Sequence, residues 1–174
     1  MHSIEEIRAE FLRLDKLLGI DTSDVEIAFS KSAVHRHGSC KFVRGIDGKP
    51  KPSKVTIAEF LRNEEDGDFW DTVRHEYAHA AAAILTGNSC GHNVIWKRIC
   101  KKVGCSGKVR AENTTASRQR AHDAAKYVIT CLGCGQQSFY MRKTELIKRL
   151  EKGGPSGVIC TICKGKKFSL TYRT

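Results

Sequence analysis

The stretch DTVRHEYAHAAAAILTGNSCGHNVIW, residues Asp71–Trp96, decides how this sequence folds. It predicts a helix that Gly87 ends, because glycine commonly follows the last helical residue. His75 and His79 lie four residues apart on that helix with Glu76 between them, so both imidazoles project from one face. Two such imidazoles can bind one metal ion, and the adjacent carboxylate can act on water beside it. The competing interpretation is an alanine-rich core helix whose histidines have no chemical role.

A catalytic zinc ion needs a third protein ligand and one open coordination position. His92 follows His79 by thirteen residues and lies beyond the glycine that ends the helix, so a short turn can return the chain to the metal. We therefore expect His75, His79 and His92 to bind a catalytic zinc ion. Glu76 is expected to activate a zinc-bound water as a general base. This arrangement predicts a hydrolytic enzyme.

The residues around this helix predict a small α+β fold. Apolar residues recur at helical intervals in the first segment, and the segments after it alternate with the period of a strand. The expected elements are an amphipathic helix over 3–18, strands at 24–30, 39–45 and 54–61, a loop over 46–53 with an Asp-Gly pair and two prolines, and a second amphipathic helix over 92–104. We expect the three strands to form a small antiparallel sheet beside the histidine helix.

The eight cysteines divide into two groups by their spacing. Cys131 and Cys134 form one C-x-x-C pair, and Cys160 and Cys163 form another, with 25 residues between the pairs. Each pair can present two thiolates to a shared metal, and four thiolates complete a tetrahedral structural zinc site. Two redox C-x-x-C motifs are the alternative, but the sequence around them lacks a βαβ pattern. The pairs therefore predict a β-rich zinc ribbon. The other four are Cys40, Cys90, Cys100 and Cys105, of which the last two are interpreted as buried helix-end residues.

Positive charge is concentrated in the second half of the chain. Residues 1–90 contain 12 Lys and Arg against 15 Asp and Glu, whereas residues 91–174 contain 18 against 4. A half-chain this basic favours a polyanionic partner, although a solvated, solubilising surface is the simpler alternative. Basic side chains neutralise phosphates, and Tyr140 offers a face on which an unpaired base can stack. The candidate nucleic-acid-binding residues are Lys101, Lys102, Arg142, Lys143, Lys148, Arg149, Lys164, Lys166 and Lys167.

The segment TVRHEYAHA…GNSCGHNVIWKRICKKVGC, with SKVTIAEFL before it and the four-cysteine ribbon after it, resembles the SprT-like zinc metalloproteases (bacterial SprT and Spartan-like proteins). The resemblance implies a zincin-like α+β core with a C-terminal zinc ribbon. It also implies zinc binding by His75, His79 and His92, catalysis by Glu76, and a role for Trp96 as the aromatic residue after the third histidine. The activity it implies is cleavage of proteins bound or crosslinked to DNA, a function in DNA repair.

Two positions depart from the pattern of this family. Asn93 replaces the glycine that usually follows the third histidine, and Tyr77 lies where methionine or leucine is commoner. Neither change removes a ligand. Asn93 bears on the geometry of the turn, because it immediately follows His92.

These observations predict a SprT-like metalloprotease core at 1–105, a basic linker at 106–126 and a four-cysteine zinc ribbon at 127–174. Two zinc ions are expected, one catalytic and one structural. No apolar run reaches the roughly 18 residues of a membrane span, and the first residues lack the pattern of an export signal. We expect a cytoplasmic monomer with no membrane partner, nucleoid-associated if bacterial. The expected partners are DNA, in single-stranded or irregular form, and protein substrates on that DNA.

Three functions remain open at the level of sequence. The first is a zinc metalloendopeptidase acting on proteins at DNA. The second is a non-catalytic zinc-containing nucleic-acid-binding module, in which the H-E-x-x-H metal is structural. The third is a peptidase for one regulatory protein, with the basic ribbon docking a partner. Glu76 favours an enzyme, because a purely structural zinc site has no need of that carboxylate.

Overall fold

The computed structural model describes residues 1–33, 36–63, 66–108, 115–153 and 157–173. In chain order its elements are α1 (Ile4–Leu18), β1 (Glu26–Ser30), β2 (Gly38–Arg44), β3 (Pro50–Ala58), a 3₁₀ helix (Glu59–Asn63), α2 (Asp66–Thr86), α3 (Val94–Val103), α4 (Thr115–Asp123), β4 (Tyr127–Cys131), β5 (Gln137–Tyr140), α5 (Glu145–Glu151) and β6 (Phe168–Tyr172). They belong to two compact units, Met1–Glu112 and Asn113–Thr174. No helix within the described ranges combines the length and apolar character that a membrane span requires.

Helix α1 forms as the sequence predicts. Ser3 and Glu6 cap its first turn: the Ser3 hydroxyl accepts from the Glu6 N–H at 3.2 Å, and the Glu6 carboxylate accepts from the Ser3 N–H at 2.8 Å. At the other end Gly19 adopts a left-handed conformation, with φ 68°, which glycine reaches at little cost. The apolar face that the helix buries consists of Ile7, Phe11 and Leu14.

The first sheet is mixed, so the expectation of an antiparallel sheet is wrong. Its strand order is β1-β3-β2, in which β2 pairs antiparallel with β3 but β1 pairs parallel with it. Strand β3 takes the centre because Val55, Ile57 and Ala58 are fully buried there, and a central strand is covered on both edges. Among the described strands, β2 is an edge strand that pairs with β3, and it also contacts α2.

Strand β3 begins inside the segment predicted as a loop. The predicted Asp-Gly turn is present, and Gly48 adopts φ 78° in it. From Pro50 onward, however, the chain is extended and pairs with β2. Pro50 and Pro52 suggested a loop because proline has no N–H for a sheet ladder. The ladder is irregular opposite them, with a register shift in β2 between Lys41 and Phe42.

Helix α2 contacts β2, β3 and α3 and forms much of the N-terminal core. It begins at Asp66, before the stretch Asp71–Trp96 on which the helix was predicted. Gly87 ends it as predicted, with φ 68° and its N–H donated to the Ala83 carbonyl at 2.8 Å. Residues 80–83 are all buried alanines, so neighbouring elements approach this part of the helix closely. The alanine run is therefore part of the core.

A disulfide joins Cys100 and Cys105 at the end of α3, with their Cα atoms 5.0 Å apart. Gly104 ends that helix with φ 76°. The next residues return to α2, because the N–H and the hydroxyl of Ser106 both donate to the Asp71 carboxylate. The position of the two cysteines at a helix end agrees with the sequence interpretation, but the bond between them was not predicted.

The described part of the C-terminal unit is a three-stranded sheet accompanied by two helices. Its strand order is β5-β4-β6, and both pairings are antiparallel. Helix α5 lies between the two cysteine pairs and contacts β6, in the segment where the sequence predicts a helical connection. Its N-cap is Thr144, whose hydroxyl accepts from the Ile147 N–H at 3.4 Å. The unit has the β-rich character expected of a zinc ribbon.

Helix α4 occupies part of the segment expected to be a linker, 106–126, so that expectation does not hold for the helical residues. Residues 109–114 of the same segment lie outside the described residues. The helix contacts β5, and Ala121 and the nearby Ala125 are buried. Small side chains can be buried without the large apolar pattern that predicts a packed helix. This is why the sequence suggested a linker here.

Candidate functional site

Three histidine side chains come together where α2 faces the turn that precedes α3. His75 and His79 lie one turn apart on α2, and their ring centroids are 5.1 Å apart. The Nε2 atom of His92 lies 3.0 Å from Nε2 of His75 and 3.2 Å from Nε2 of His79. The potential ligand atoms of the three residues all lie within 4.8 Å of one another. One metal ion can therefore be held by all three.

The spacing of these nitrogens suits zinc. A tetrahedral zinc ion with bonds of about 2.0–2.1 Å holds its nitrogen ligands about 3.3 Å apart. The Nε2 separations of 3.0 and 3.2 Å around His92 are close to that value. Three protein ligands also leave one tetrahedral position open, as catalytic zinc sites require. The structure thus brings together the three histidines that the sequence nominates as ligands.

Burial keeps these histidines in the form that binds a metal. Burial, together with the neighbouring imidazoles of His79 and His92, lowers the pKa of His75 to about 4. Burial also lowers the pKa of His79 and of His92. Each ring is therefore neutral near pH 7, and neutral imidazole is the ligand form for zinc.

Two groups outside the histidines fix the orientation of the rings. His79 donates its Nδ1–H to the Cys90 carbonyl at 3.0 Å, which leaves its Nε2 facing the other two histidines. Trp96 is fully buried and lies against all three imidazoles, with centroid distances of 4.7 Å to His75, 5.2 Å to His79 and 4.6 Å to His92. The family resemblance pointed to Trp96. The Cys90 carbonyl was missed, because a main-chain acceptor has no residue-type signature.

Glu76 lies beside His75 on α2 and is only 6% exposed. Burial raises the pKa of its carboxyl to about 7, while the charge of Arg36 and the backbone N–H of Cys40 favour the ionised form. A carboxyl group with a pKa near neutrality can both accept a proton and return it. Sequence reasoning identified Glu76 but neither of the two groups on the β2 side that act on it.

Asn93, which departs from the family pattern, is the N-cap of α3. Its backbone is extended, with φ −80° and ψ −174°, and its side-chain oxygen accepts from the Trp96 N–H at 3.0 Å. This bond satisfies an amide that the first helical turn leaves without an intrahelical partner. Asn93 therefore sets where α3 begins, directly after His92 and before Trp96.

The second cluster is formed by the four cysteines of the C-terminal unit. Their Sγ atoms lie within 4.8 Å of one another, with 3.5 Å between Cys131 and Cys163 and 3.6 Å between Cys134 and Cys160. A tetrahedral zinc ion with Zn–S bonds of about 2.3 Å spaces its sulfurs about 3.8 Å apart. The backbone N–H groups of Cys163 and Ile162 lower the pKa of Cys160 to about 6, which favours its thiolate. Four thiolates leave no open position, so this site suits a structural metal.

The basic residues nominated for nucleic-acid binding are exposed on both units. Lys101 and Lys102 lie on α3, opposite its buried face. The nominated residues of the C-terminal unit are all exposed: Arg142, Lys143, Lys148, Arg149, Lys164, Lys166 and Lys167. Lys143 and Lys148 form exposed ion pairs with Glu151 at 2.6 Å and Glu145 at 2.7 Å. Exposed pairs of this kind are weak, so they can exchange for phosphate.

Comparison with known proteins finds one family model, a curated relative and a solved structure. The sequence model described as the SprT-like family matches residues 6–120. A curated protein named "Protein SprT-like" from Staphylococcus carnosus (strain TM300) is 28% identical over 96 residues, which cover 55% of this chain and 54% of that protein. The chain thus spans about half the length of that relative. The crystal structure of the metallopeptidase zymogen of Pyrococcus abyssi abylysin covers 67% of this chain and 90% of its own, with 14% identity and a TM-score of 0.39.

Proposed function

The match over residues 6–120 shows that this chain belongs to the SprT-like family, and from that membership we propose that it is a zinc-dependent metalloendopeptidase that cleaves proteins bound or crosslinked to DNA. One observation carries the enzymatic part: the potential ligand atoms of three histidines lie within 4.8 Å of one another, and the buried residue Glu76 follows the first of these histidines on the same helix. Such a set can hold a metal with an open position, and the glutamate of an H-E-x-x-H helix can act as the proton acceptor for water at that position.

In the proposed reaction His75, His79 and His92 would hold a zinc ion, and this ion would supply Lewis acidity toward a peptide carbonyl and a water molecule near neutral pH. Glu76 takes the proton of the attacking water and delivers it to the amine of the leaving peptide. The Cys90 carbonyl keeps His79 in the tautomer that presents Nε2.

The proposed association with DNA rests on charge. Residues 113–174 contain 12 Lys and Arg against 3 Asp and Glu, whereas residues 1–112 contain 18 against 16. The excess therefore lies in the unit that contains the cysteine cluster. Its exposed lysines and arginines can neutralise phosphates without reading bases, so we expect binding that weakens steeply with salt. Tyr140 is half-exposed and can stack on an unpaired base, which favours single-stranded or irregular DNA.

A variant of the general base tests the enzymatic part. We expect the wild-type chain to cleave a DNA-binding protein mixed with single-stranded DNA, and to cleave it more slowly without DNA. Glu76→Gln should lose about 10²- to 10⁴-fold in turnover, because glutamine cannot accept the proton. Metal analysis should find about two zinc ions per chain in both proteins. Retained turnover in Glu76→Gln would disprove the assignment of Glu76.

Charge reversal in the C-terminal unit tests the DNA part. Lys166→Glu with Lys167→Glu should weaken binding to single-stranded DNA and lower the salt slope by about 0.7 for each phosphate that the variant no longer neutralises. Lys16→Glu with Lys31→Glu, two exposed lysines of the N-terminal unit, is the matched control and should leave affinity nearly unchanged. DNA binding without any proteolysis would instead support a non-catalytic nucleic-acid-binding module. Proteolysis without salt-dependent DNA binding would support a peptidase for one protein partner.

A further inference from the structure

Gly38, the first residue of β2, lies directly against the side chain of Glu76. A Cβ atom added at Gly38 would come within 2.6 Å of Cγ, 2.7 Å of Oε1 and 3.0 Å of Cδ of Glu76. Side-chain carbon atoms do not approach each other that closely, so any residue larger than glycine would displace the glutamate or the strand. The absence of a side chain at this position therefore makes room for the Glu76 carboxylate.

The strand cannot easily move away from α2. Gly38 is paired with Ile57 of β3, and the Ala58 N–H donates to the His37 carbonyl at 2.7 Å just before the strand begins. Ile57 and Ala58 are fully buried in the core. On the other side, Tyr77 follows Glu76 on α2 and is fully buried as well. With both backbones fixed by the core, the flexible part of the contact is the Glu76 side chain itself.

The backbone of the same strand also acts on the carboxylate. The Cys40 N–H favours the ionised form of Glu76, and Cys40 is paired with Val55 of β3, a fully buried residue. Arg36, two residues before the strand, adds a positive charge that acts on the same carboxylate. Strand β2 thus leaves space for the carboxylate at Gly38 and supplies the N–H of Cys40. Arg36, just before the strand, supplies a positive charge.

We propose that Gly38 is a positioning residue: the edge strand β2 sets the orientation of the Glu76 carboxylate through the space at Gly38 and the Cys40 N–H. This inference rests on the proposed function only for its catalytic consequence. A methyl group at position 38 rotates Glu76 out of its place against the strand and away from the Cys40 N–H. The proposed role of Glu76 as the proton acceptor is then impaired, because its carboxylate has moved.

Gly38→Ala tests the catalytic consequence with labelled casein and single-stranded DNA as substrate and activator. We expect kcat to fall about 10²-fold, since a misplacement of about 1 Å costs that much, while KM changes less than about 2-fold. Zinc content should equal that of the wild type, because the histidines are untouched. Gly67→Ala, at a helical glycine whose added Cβ meets no atom within 4 Å, is the matched control and should keep wild-type kcat. A wild-type kcat in Gly38→Ala would overturn the proposal.

A double-mutant cycle measured by thermal unfolding tests whether Gly38 fixes the position of Glu76 without an activity assay. Gly38→Ala should lower Tm by about 4 °C when Glu76 is present. In a Glu76→Ala background, where the obstructing side chain is gone, the same change should move Tm by less than about 1 °C. Equal shifts in both backgrounds would overturn the positioning role. If the wild type cleaves no protein, the proposed function fails, while this cycle still decides whether Gly38 fixes the position of Glu76.

Discussion

Tyr77, the residue after Glu76, ties the histidine helix to α1 through a buried carboxylate. Its hydroxyl donates to Asp15 at 2.8 Å, and Asp15 accepts two further bonds from Thr22, at 3.0 Å from the N–H and 2.9 Å from the hydroxyl. Tyr77 is fully buried and Asp15 is 6% exposed. Burial and the adjacent carboxylate raise the pKa of Tyr77, so the phenol stays protonated as a donor. The tyrosine at this position is thus explained by its partner on α1.

Tyr77→Phe should lower the free energy of unfolding by about 1–3 kcal/mol, because it leaves a buried carboxylate oxygen without its donor. Urea titration followed by tryptophan fluorescence measures this, since both tryptophans, Trp70 and Trp96, lie in the N-terminal unit. Tyr172→Phe, which removes an exposed bond to Glu151, is the control and should change stability by less than about 0.5 kcal/mol in circular dichroism. Comparable losses in the two variants would contradict the role given to the Asp15 bond.

Lys164 shows strain at a single residue of the zinc ribbon. It follows the second cysteine of its C-x-x-C pair and adopts φ 60°. The equivalent residue of the other pair, Gly135, adopts φ 72°. The two knuckles therefore need the same left-handed conformation at this position, and glycine reaches it with less steric cost than lysine.

Lys164→Gly should stabilise the metal-loaded ribbon by about 0.5–1 kcal/mol, the steric gain being partly offset by the greater freedom of glycine in the unfolded chain. Thermal unfolding of the full chain, followed by a probe in the C-terminal unit, measures the change. Lys166→Gly is the control. It removes the same charge, but Lys166 does not adopt a left-handed backbone conformation. It should be neutral or destabilising. Equal behaviour of the two variants would show that the knuckle is not strained at Lys164.

At the scale of the element, α3 carries the aromatic wall of the metal site. Its buried face includes Trp96, which touches all three imidazoles, and its first turn depends on the Asn93 cap. A shift of the helix start would therefore move both Trp96 and the neighbouring His92. The cap connects local helix chemistry to the geometry of the site.

Asn93→Ala should cost about 1 kcal/mol of stability and weaken zinc binding at the histidine site, because the cap acceptor is lost. Asn93→Gly should cost only a few tenths of a kcal/mol, since glycine is tolerated at an N-cap. Urea titration and competition with a zinc chelator measure the two effects. A glycine variant that binds zinc as poorly as the alanine variant would show that the cap does not explain the departure from the family pattern.

Whether a segment forms a helix or a strand could be predicted from the sequence better than which strands pair with each other. The periodic spacing of Ile7, Phe11 and Leu14 identifies α1, because a helix is a local structure whose pattern is written along the chain. Alternation identifies β1 as a strand, but it does not say which neighbour the strand pairs with, so the parallel pairing with β3 was missed. Strand pairing depends on which strand buries the most apolar surface. The amount that each strand buries is a property of the assembled core.

The candidate site divides in the same way. The histidines could be predicted because zinc ligands are side chains with a fixed spacing on a helix. The Cys90 carbonyl and the Cys40 N–H act through main-chain atoms, which any residue type supplies. The role of Gly38 depends on an absent side chain and on what lies opposite it. Such contacts come from tertiary structure, so a single sequence does not reveal them.

At the scale of the whole molecule, the two units are stabilised by different means. Among its described residues, the N-terminal unit has a core of twenty buried residues that extends across α1, the sheet, α2 and α3. The described part of the C-terminal unit buries few large apolar side chains, chiefly Val128, Ile129 and Ile147, and it gathers four cysteines at one point. A unit with so little apolar burial depends on another source of stability, and a thiolate-bound metal supplies it.

Removal of metal should therefore affect the folding of the two units differently. Chelation should unfold the C-terminal unit, since a structural zinc ion contributes about 10–16 kcal/mol in small metal-dependent folds. The N-terminal unit should stay folded and lose only activity, with Trp70 and Trp96 keeping their fluorescence. Cys160→Ser should unfold the C-terminal unit even in the presence of zinc. His79→Ala, the matched ligand control, should lower the zinc content and leave both units folded. Limited proteolysis read by mass spectrometry locates the cleaved unit in each sample. Chelation that unfolds both units together, with a change in tryptophan fluorescence, would contradict independent stabilisation of the two units.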